Sequence, residues 1–444
     1  MKAGRRTGGQ AGSVLAVGAR LGLVASLAAA PLAAQVAARR PAGPPARPSG
    51  LSARPPARPP GSEFTISLMT MGVGERVWER FGHNAILVED RLHGTARAYN
   101  YGMFDFRQEN FLLNFVKGRM WYWMQGFDLA STLRIYVRDN RSVWVQELNL
   151  TPAERLALTR FLEWNERPEN RFYRYDYYRD NCSTRVRDAI DRVVQGRLRA
   201  ATDTVHTPFT YRSHTARLTA PDPLLYTGIM VGLGEAADRP LTAWEEMFLP
   251  LELRKWVRRA TVVDESGREA PLVRSERTLF AASEPPPRAA PPHWWPGYLA
   301  LGLALGGSLG WLGRRAAASA RASRGFAAMA AVWALLAGLA GGMLAFLWAF
   351  TDHAIAYRNE NLLQVSLFLL PLVVLAPAAA RGAVWARRPA WVLAALAAAA
   401  SAVGLVLKLV PMFSQHNLEI VALTLPANLG LAVGLGALAR RVRA

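Results

Sequence analysis

The stretch Tyr178–Asp188, YRDNCSTRVRD, holds Cys182, the only cysteine among 444 residues. Asn181 is a residue type that caps helix N-termini, and Val186, Ile190 and Val193 follow at helical spacing. Cys182 is therefore expected in the first turn of a helix, where free N–H groups and the helix dipole favour a thiolate, the nucleophilic form of the side chain. A nucleophilic thiol needs a base that takes its proton and returns it to a leaving group. His83, in FGHNAILV, suits that role: it opens an apolar run directly after a glycine, where a side chain can be presented to a cleft. A third group usually orients such an imidazole. A turn at His93–Gly94 lays residues 100–105 antiparallel to the His83 run, so Asn100 and Asp105 are the candidates for that role. Asn181, Cys182, His83, Asn100 and Asp105 make up the expected catalytic set, with Cys182 predicted to carry a depressed pKa. Taken singly, a cysteine is most often a small buried hydrophobe and a histidine structural. The case rests on their combination.

The elements that must position these groups read as an α+β pattern. FTISLMTM is strand-like, HNAILVED and the run from Thr95 to Phe104 form a hairpin, and STLRIYVRDNRSVWVQELNL reads as two further strands around Asp139–Asn140. FRQENFLLNFVKGRMWYWMQ reads as a helix. Thr151-Pro152-Ala153-Glu154 is a helix start with proline at the first position and glutamate at the third, in a helix running to about Asn165. A further helix is expected over 241–260 and a small hairpin over 264–267.

Composition divides the chain. Residues 1–35 pair Arg5, Arg6 and Arg20 with an apolar, small-residue run, the shape of a secretory signal. Residues 36–62 are rich in Pro, Ala and Arg and cannot bury a core, so they read as a linker. A catalytic domain over 63–282 and a Pro-rich linker over 283–293 follow. A membrane domain over 294–444 carries five apolar segments near 295–312, 326–350, 361–380, 390–411 and 418–438. Arginines cluster after the first, third and fifth segments, at Arg314/Arg315, Arg387/Arg388 and Arg440/Arg441. The positive-inside rule puts those loops in the cytoplasm and the soluble domain outside, on a multi-pass cytoplasmic (inner) membrane protein. That agrees with the leader. The formal net charge of +20 lies mostly in arginines of the leader and inter-segment loops and does not point to nucleic acid. A single cysteine excludes an internal disulfide and a C-x-x-C metal cluster. No metal or cofactor is expected.

The order strand-His, second strand, helix-Cys resembles the circularly permuted papain-like group, which includes lecithin:retinol acyltransferase and in which an Asn-Cys pair also opens the helix. The motifs WERFGHNAI, YNYGMFDF, RFYRYDYYRDNCSTRVRD and EEMFLPLEL, with TDHAIAYRNENLL in the membrane half, resemble the Lnb-type family over roughly residues 63–438. These are bacterial lipoprotein intramolecular acyltransferases with an extracytoplasmic domain and about five transmembrane helices. The resemblance implies that His83 and Cys182 are the catalytic pair. It also implies that an acyl chain passes through a Cys182 thioester, with membrane phospholipid or lipoprotein as substrate. A long Pro/Arg linker has no place in the family pattern. Two other readings stay open: a cysteine peptidase or amidase acting on cell-wall peptide, and a non-enzymatic membrane scaffold. His353, Asn359, Asn361 and Asn417, at the outer ends of the apolar segments, are expected to form a polar rim.

Overall fold

Seven strands account for the placement of the catalytic candidates. They are β1 (Phe64–Met71), β2 (His83–Asp90), β3 (Thr95–Met103), β4 (Trp121–Asp128), β5 (Val143–Leu148), β6 (Phe172–Arg174) and β7 (Val273–Phe280). The computed structural model describes residues 58–440, so the signal segment and nearly all of the 36–62 linker lie outside the described residues. The strands form one antiparallel sheet in the order β7-β5-β1-β2-β3-β4-β6. The order follows from β1 alternating between two apolar faces. Ile66 and Leu68 point to one side, where Ile86, Val88, Tyr99 and Tyr101 join them. Met69 and Met71 point to the other, with Ala85, Leu87 and Val145. A strand buried on both faces must lie centrally, and β1 is fully buried from Thr65 onward.

Helices cover each face. α3 (Pro152–Glu166) and α4 (Cys182–Val193) pack on the first through Leu158, Leu162, Val186 and Ile190. The capping box that starts α3 forms as the sequence predicts: the Glu154 carboxylate accepts from the Thr151 N–H at 2.8 Å. α2 (Leu129–Arg138) covers the second face through Leu129, Leu133 and Tyr136. Here the structure differs from the sequence reading, which took this stretch for a strand. Ile135 and Val137 are β-formers but are exposed, whereas Leu129, Leu133 and Tyr136 share one helical face. The Asp128 carboxylate caps the turn by accepting from the Ser131 N–H at 2.8 Å. The long helix expected after Phe106 is likewise cut short. α1 (Phe111–Lys117) stops at Gly118, which takes a left-handed φ of 71°, and the chain re-enters the sheet as β4.

Beyond the sheet, Pro250 splits the expected 241–260 helix into Ala243–Glu246 and Pro250–Arg259. The first piece carries Glu246, which is wholly buried. It accepts from His214 Nε2 at 3.1 Å and from Trp256 Nε1 at 2.9 Å, with Lys255 at 3.4 Å. Arg217 Nε donates to His214 Nδ1 at 3.0 Å, so the imidazole is neutral with its proton on Nε2.

Residues from Arg58 on form one unit that includes the apolar half. Three helices there are long and apolar enough to cross a membrane: Ala320–Phe350, Val384–Leu409 and Leu418–Arg440. A bent pair, Glu360–Leu369 with Leu372–Ala380, would make a fourth as a span broken by 56°. The first expected segment is a helix, Trp295–Arg315. It is long enough but, being rich in glycine, less apolar than the other three. It packs along Leu418–Arg440 with backbones so close that a Cβ on Gly306 would fall 2.1 Å from the Pro426 carbonyl oxygen. Small residues permit such approaches between membrane helices.

Burial alone would raise the Glu246 carboxyl, but the bonds from His214 and Trp256 and the Lys255 charge outweigh it and hold it at about 2, below the usual 4.5. A carboxylate depressed in this way contributes stability that is present above 4.5 and lost as pH falls toward 2. Burial also holds the His214 imidazole below its usual 6.5, so the unfolded chain takes up a proton below that value which the folded chain refuses. Both groups work in the same direction. The melting temperature of the detergent-solubilised protein should fall steeply on acidification below pH 4.5, and Glu246→Gln should flatten that part of the curve. An unchanged curve in the variant would remove this cluster from the account.

Candidate active site

α4 opens at Cys182 because Asn181 is its cap. The Asn181 Oδ1 accepts from the N–H groups of Ser183 and Thr184 at 2.9 and 3.0 Å. Its Nδ2 donates to the carbonyls of Tyr177 and Phe248 at 2.8 and 3.0 Å. Both ends of the amide are committed, so Asn181 positions Cys182 and has no group left for chemistry.

β2 brings the base. Its second residue, Asn84, is fully buried and directs its backbone N–H at the Cys182 sulfur. The Asn84 side chain fixes this placement, with Nδ2 donating to Thr70 Oγ1 at 2.9 Å and Oδ1 lying 2.9 Å from the Ser183 hydroxyl. His83 precedes Asn84 and so begins its strand one residue from the Asn84–Ser183 bond. Its Nε2 lies 3.1 Å from Asn100 Oδ1, and the tautomer follows from chemistry. Asn100 Nδ2 donates to the Ala98 carbonyl at 2.9 Å, so the amide oxygen faces the ring. An amide oxygen only accepts, so Nε2 carries the proton. Nδ1 is left with the lone pair a general base needs.

Of the two residues expected to orient His83, the structure brings in Asn100 and not Asp105. In the β2–β3 register Asn100 pairs with Ala85, within reach of the ring. Asp105 lies past the end of β3, exposed and closed on Arg107, whose N–H it accepts at 2.9 Å. The polar rim is also corrected. Asn359, Asn361 and Asn417 are buried. Asn359 Nδ2 donates to the Val231 carbonyl at 2.9 Å and Asn417 Nδ2 to Asn361 Oδ1 at 2.8 Å. These amides join the apolar half to helix Pro223–Gly232 and form no rim. His353 is spent on the Phe115 carbonyl at 3.0 Å.

The expectation of a depressed thiol fails. Burial pushes Cys182 up to about 11, against the pull of the N–H groups of Asn84, Ser183 and Cys182 itself and of the Arg141 charge. Burial, with the Arg141 charge, also takes His83 down to about 4, against the Asn100 bond. The helix start supplies donors as the sequence implied, but desolvation of a charge outweighs them. At rest the thiol and the imidazole are both neutral.

The sequence reading missed Asn84, Gly102 and Tyr173. Gly102 takes a φ of 84°. A Cβ there would lie 3.5 Å from Cys182 Cβ, 3.7 Å from Tyr175 Cε2 and 3.9 Å from Tyr173 Oη, so its missing side chain leaves space against Cys182. The Tyr173 hydroxyl is buried and has no hydrogen-bond partner among the described residues. Burial raises it well above the usual 10, so it stays protonated and able to donate. The clue lay in RFYRYDYYRDN, whose first tyrosine, Tyr173, pairs with Tyr122 of β4.

A cluster of His214, Glu246 and Glu252 offers three ligand atoms within 4.8 Å of one another. Both His214 nitrogens are bonded, and Arg217, Lys255 and Trp256 occupy the carboxylates. That donor set is already neutralised and does not suit a metal ion.

Residues 58–217 match the family model described as the Lnb N-terminal periplasmic domain. The resemblance to the Lnb-type family holds over this stretch. The stretch includes the sheet from β1 to β6, His83, Asn100 and Cys182. No curated protein matches the chain, and no solved structure does. The chain thus joins a stretch similar to the Lnb N-terminal periplasmic domain to three helices long and apolar enough to cross a membrane.

Alkylation of Cys182 by iodoacetamide should keep rising with pH beyond about 9, because the thiolate forms only near the raised value. A plateau reached below neutral would mean a preformed ion pair. At pH 7, Asn100→Leu should slow the same reaction by about tenfold or more, since His83 loses the bond that fixes its tautomer. Asp105→Ala should match the parent, and an equal loss in both variants would contradict the placement of Asn100.

Proposed function

We propose that the protein is a thiol-dependent acyltransferase that moves a fatty acyl chain, through a Cys182 thioester, within or between membrane lipoproteins or lipids. One observation carries the reading. His83, its Nδ1 free, directly precedes Asn84, whose side chain bonds Ser183, the residue after Cys182. In this reading the soluble part is a permuted papain-like domain on the periplasmic side, followed by five spans of the inner membrane.

The neutral pair sets the mechanism. The sulfur attacks an ester carbonyl as its proton passes to His83 Nδ1, so thiolate forms only in the course of attack. The Cys182 N–H at the start of α4 and the Tyr173 hydroxyl are the donors for the developing oxyanion. Collapse breaks the carbonyl–oxygen bond, and the alkoxide leaves with the proton held by His83. An amine then attacks the thioester and gives its proton to His83. The carbon–sulfur bond breaks and the thiol regains the proton. His83 is uncharged when each nucleophile arrives, as a base must be.

A peptidase acting on cell-wall peptide would use the same pair, and the apolar half favours the lipid substrate. Intact-mass analysis after incubation in bilayers with a diacylglyceryl lipoprotein should find a fatty-acyl adduct on Cys182 that hydroxylamine removes. Cys182→Ser should retain its fold and lose turnover by about a thousandfold, on the order of 4 kcal/mol of barrier. Cleavage of a peptide substrate with no adduct would replace this reading with the peptidase one.

A further inference from the structure

Helix α1 is apolar on the side that faces away from the protein. Leu112, Leu113, Phe115 and Val116 are 73%, 49%, 42% and 38% exposed. A helix of a water-soluble domain turns such residues inward. Phe106 and Trp78, 61% and 54% exposed, continue the patch, their rings 5.9 Å apart. Contiguous exposed apolar surface of this kind marks an interaction site.

Its position identifies the partner. The Lys117 carbonyl accepts from the Asp352 N–H at 2.9 Å, and the Phe115 carbonyl meets His353 Nε2 at 3.0 Å. Arg119 and Arg174 both pair with the Asp352 carboxylate, at 2.8 and 2.5 Å. Gly118 closes the joint, since a Cβ there would lie 3.1 Å from the Asp352 carbonyl carbon. Asp352 stands two residues past the end of the Ala320–Phe350 membrane helix, whose last turn exposes Trp348 and Phe350 as interfacial aromatics do. α1 is thus fastened at the depth where that helix leaves the hydrocarbon. Apolar side chains beside Lys117, Arg119 and Arg174 match the composition of segments that lie in an anionic bilayer surface.

A row of rings leads inward from the patch. Phe106 and Phe111 lie 5.1 and 6.2 Å from Phe104. Phe104 stacks on Tyr122 at 5.1 Å and Tyr122 on Tyr175 at 4.3 Å. Tyr175 borders the space that Gly102 leaves against Cys182.

We propose that α1, with Trp78 and Phe106, is immersed in the outer leaflet of the bilayer, and that the aromatic row behind it receives one lipid acyl chain on the way to Cys182. The immersion stands on the geometry alone. The path rests on the acyltransferase reading.

Replacing Cys182 with serine leaves a cysteine-free chain, so single labels can be placed at will. Full-length Leu112→Cys, Leu113→Cys and Val116→Cys proteins, nitroxide-labelled in phosphatidylethanolamine–phosphatidylglycerol vesicles, should be relaxed by oxygen and shielded from a water-soluble nickel chelate. They should resemble a label at Val332, on the lipid-exposed side of the Ala320–Phe350 helix. A label at Leu92, in the hairpin turn, should meet the chelate freely. If the α1 labels behave like Leu92, or are shielded from both reagents as at a protein contact, the immersion is wrong. In Cys182→Ser, a phospholipid with a diazirine on its acyl chain should cross-link to peptides containing Phe104 or Tyr122. Leu112→Glu with Leu113→Glu should cut that yield by at least about tenfold, since both leucines lose their burial in the leaflet. Cross-links confined to the membrane helices would overturn the path. Cross-links at Phe104 without any acyl adduct in the parent protein would instead count against the acyl-transfer chemistry.

Discussion

The site depends on one buried polar joint, the meeting of Asn84 and Ser183. The two residues are 99 positions apart in sequence and neither is exposed to solvent. Between them, Asn84 bonds Thr70 on β1 and Ser183 reaches the Met247 carbonyl at 2.7 Å. A buried amide or hydroxyl left unpaired costs about 1–3 kcal/mol, so β1, β2, the start of α4 and the segment at Met247 are held in one arrangement. That arrangement is also the one in which the Asn84 N–H meets the Cys182 sulfur. His83 is held one residue from this joint. Its strand is fixed by its neighbour, and Asn100 sets its tautomer.

The same burial that fixes the geometry sets the chemistry. Charges are expensive in this cleft, and the tyrosines of the 173–178 run close around it. The thiol is held neutral from above and the imidazole from below, which widens the pH range over which both are uncharged. A base that is free of its proton is available across that range. A thiolate standing by in an extracytoplasmic compartment would be open to oxidation, whereas a neutral, half-buried thiol is much less reactive. Burial therefore slows the resting nucleophile and protects the only cysteine.

Much of this was legible in the sequence where a local rule had no competitor. The Asn181 cap, the proline and glutamate that start α3, and the His93–Gly94 turn are short-range signals, and each forms as read. The helix start also located Cys182 correctly. What failed were judgments in which two local signals competed or a distant group decided. Ile135 and Val137 looked like strand residues until burial of Leu129, Leu133 and Tyr136 on one face won. The helix dipole at Cys182 pointed to a thiolate, but how deeply a side chain is desolvated is set by elements far off in the chain. Asp105 was the more obvious partner for an imidazole than Asn100, and only the register of β2 on β3 decided between them. Asn359 and Asn361 read as exposed groups because the carbonyls they cap belong to a helix more than a hundred residues upstream, and Asn417 because its partner is the Asn361 side chain.

That last misreading bears on how the two halves work together. Amides such as those of Asn359 and Asn361 bond backbone carbonyls of Met230, Val231 and Gly232 directly, without relying on long charged side chains. Bonds between short, buried side chains and backbone lose little conformational entropy when they form and allow little tilt once formed. A second joint, between the α1–β4 turn and Asp352, holds another part of the soluble domain through Arg119 and Arg174. Two such joints fix the orientation of the cleft with respect to the apolar helices, where a single tether would leave it free to swing. Under the proposed acyl transfer, whose substrate would diffuse in a plane, this orientation would replace much of what a soluble enzyme achieves by binding. The ester carbonyl of a bilayer lipid sits at a nearly constant depth, so a nucleophile held at the matching depth meets it without lifting the whole lipid into water. The long amide network in the apolar half is thus part of the same positioning that begins at Asn84, carried from the sulfur to the membrane surface.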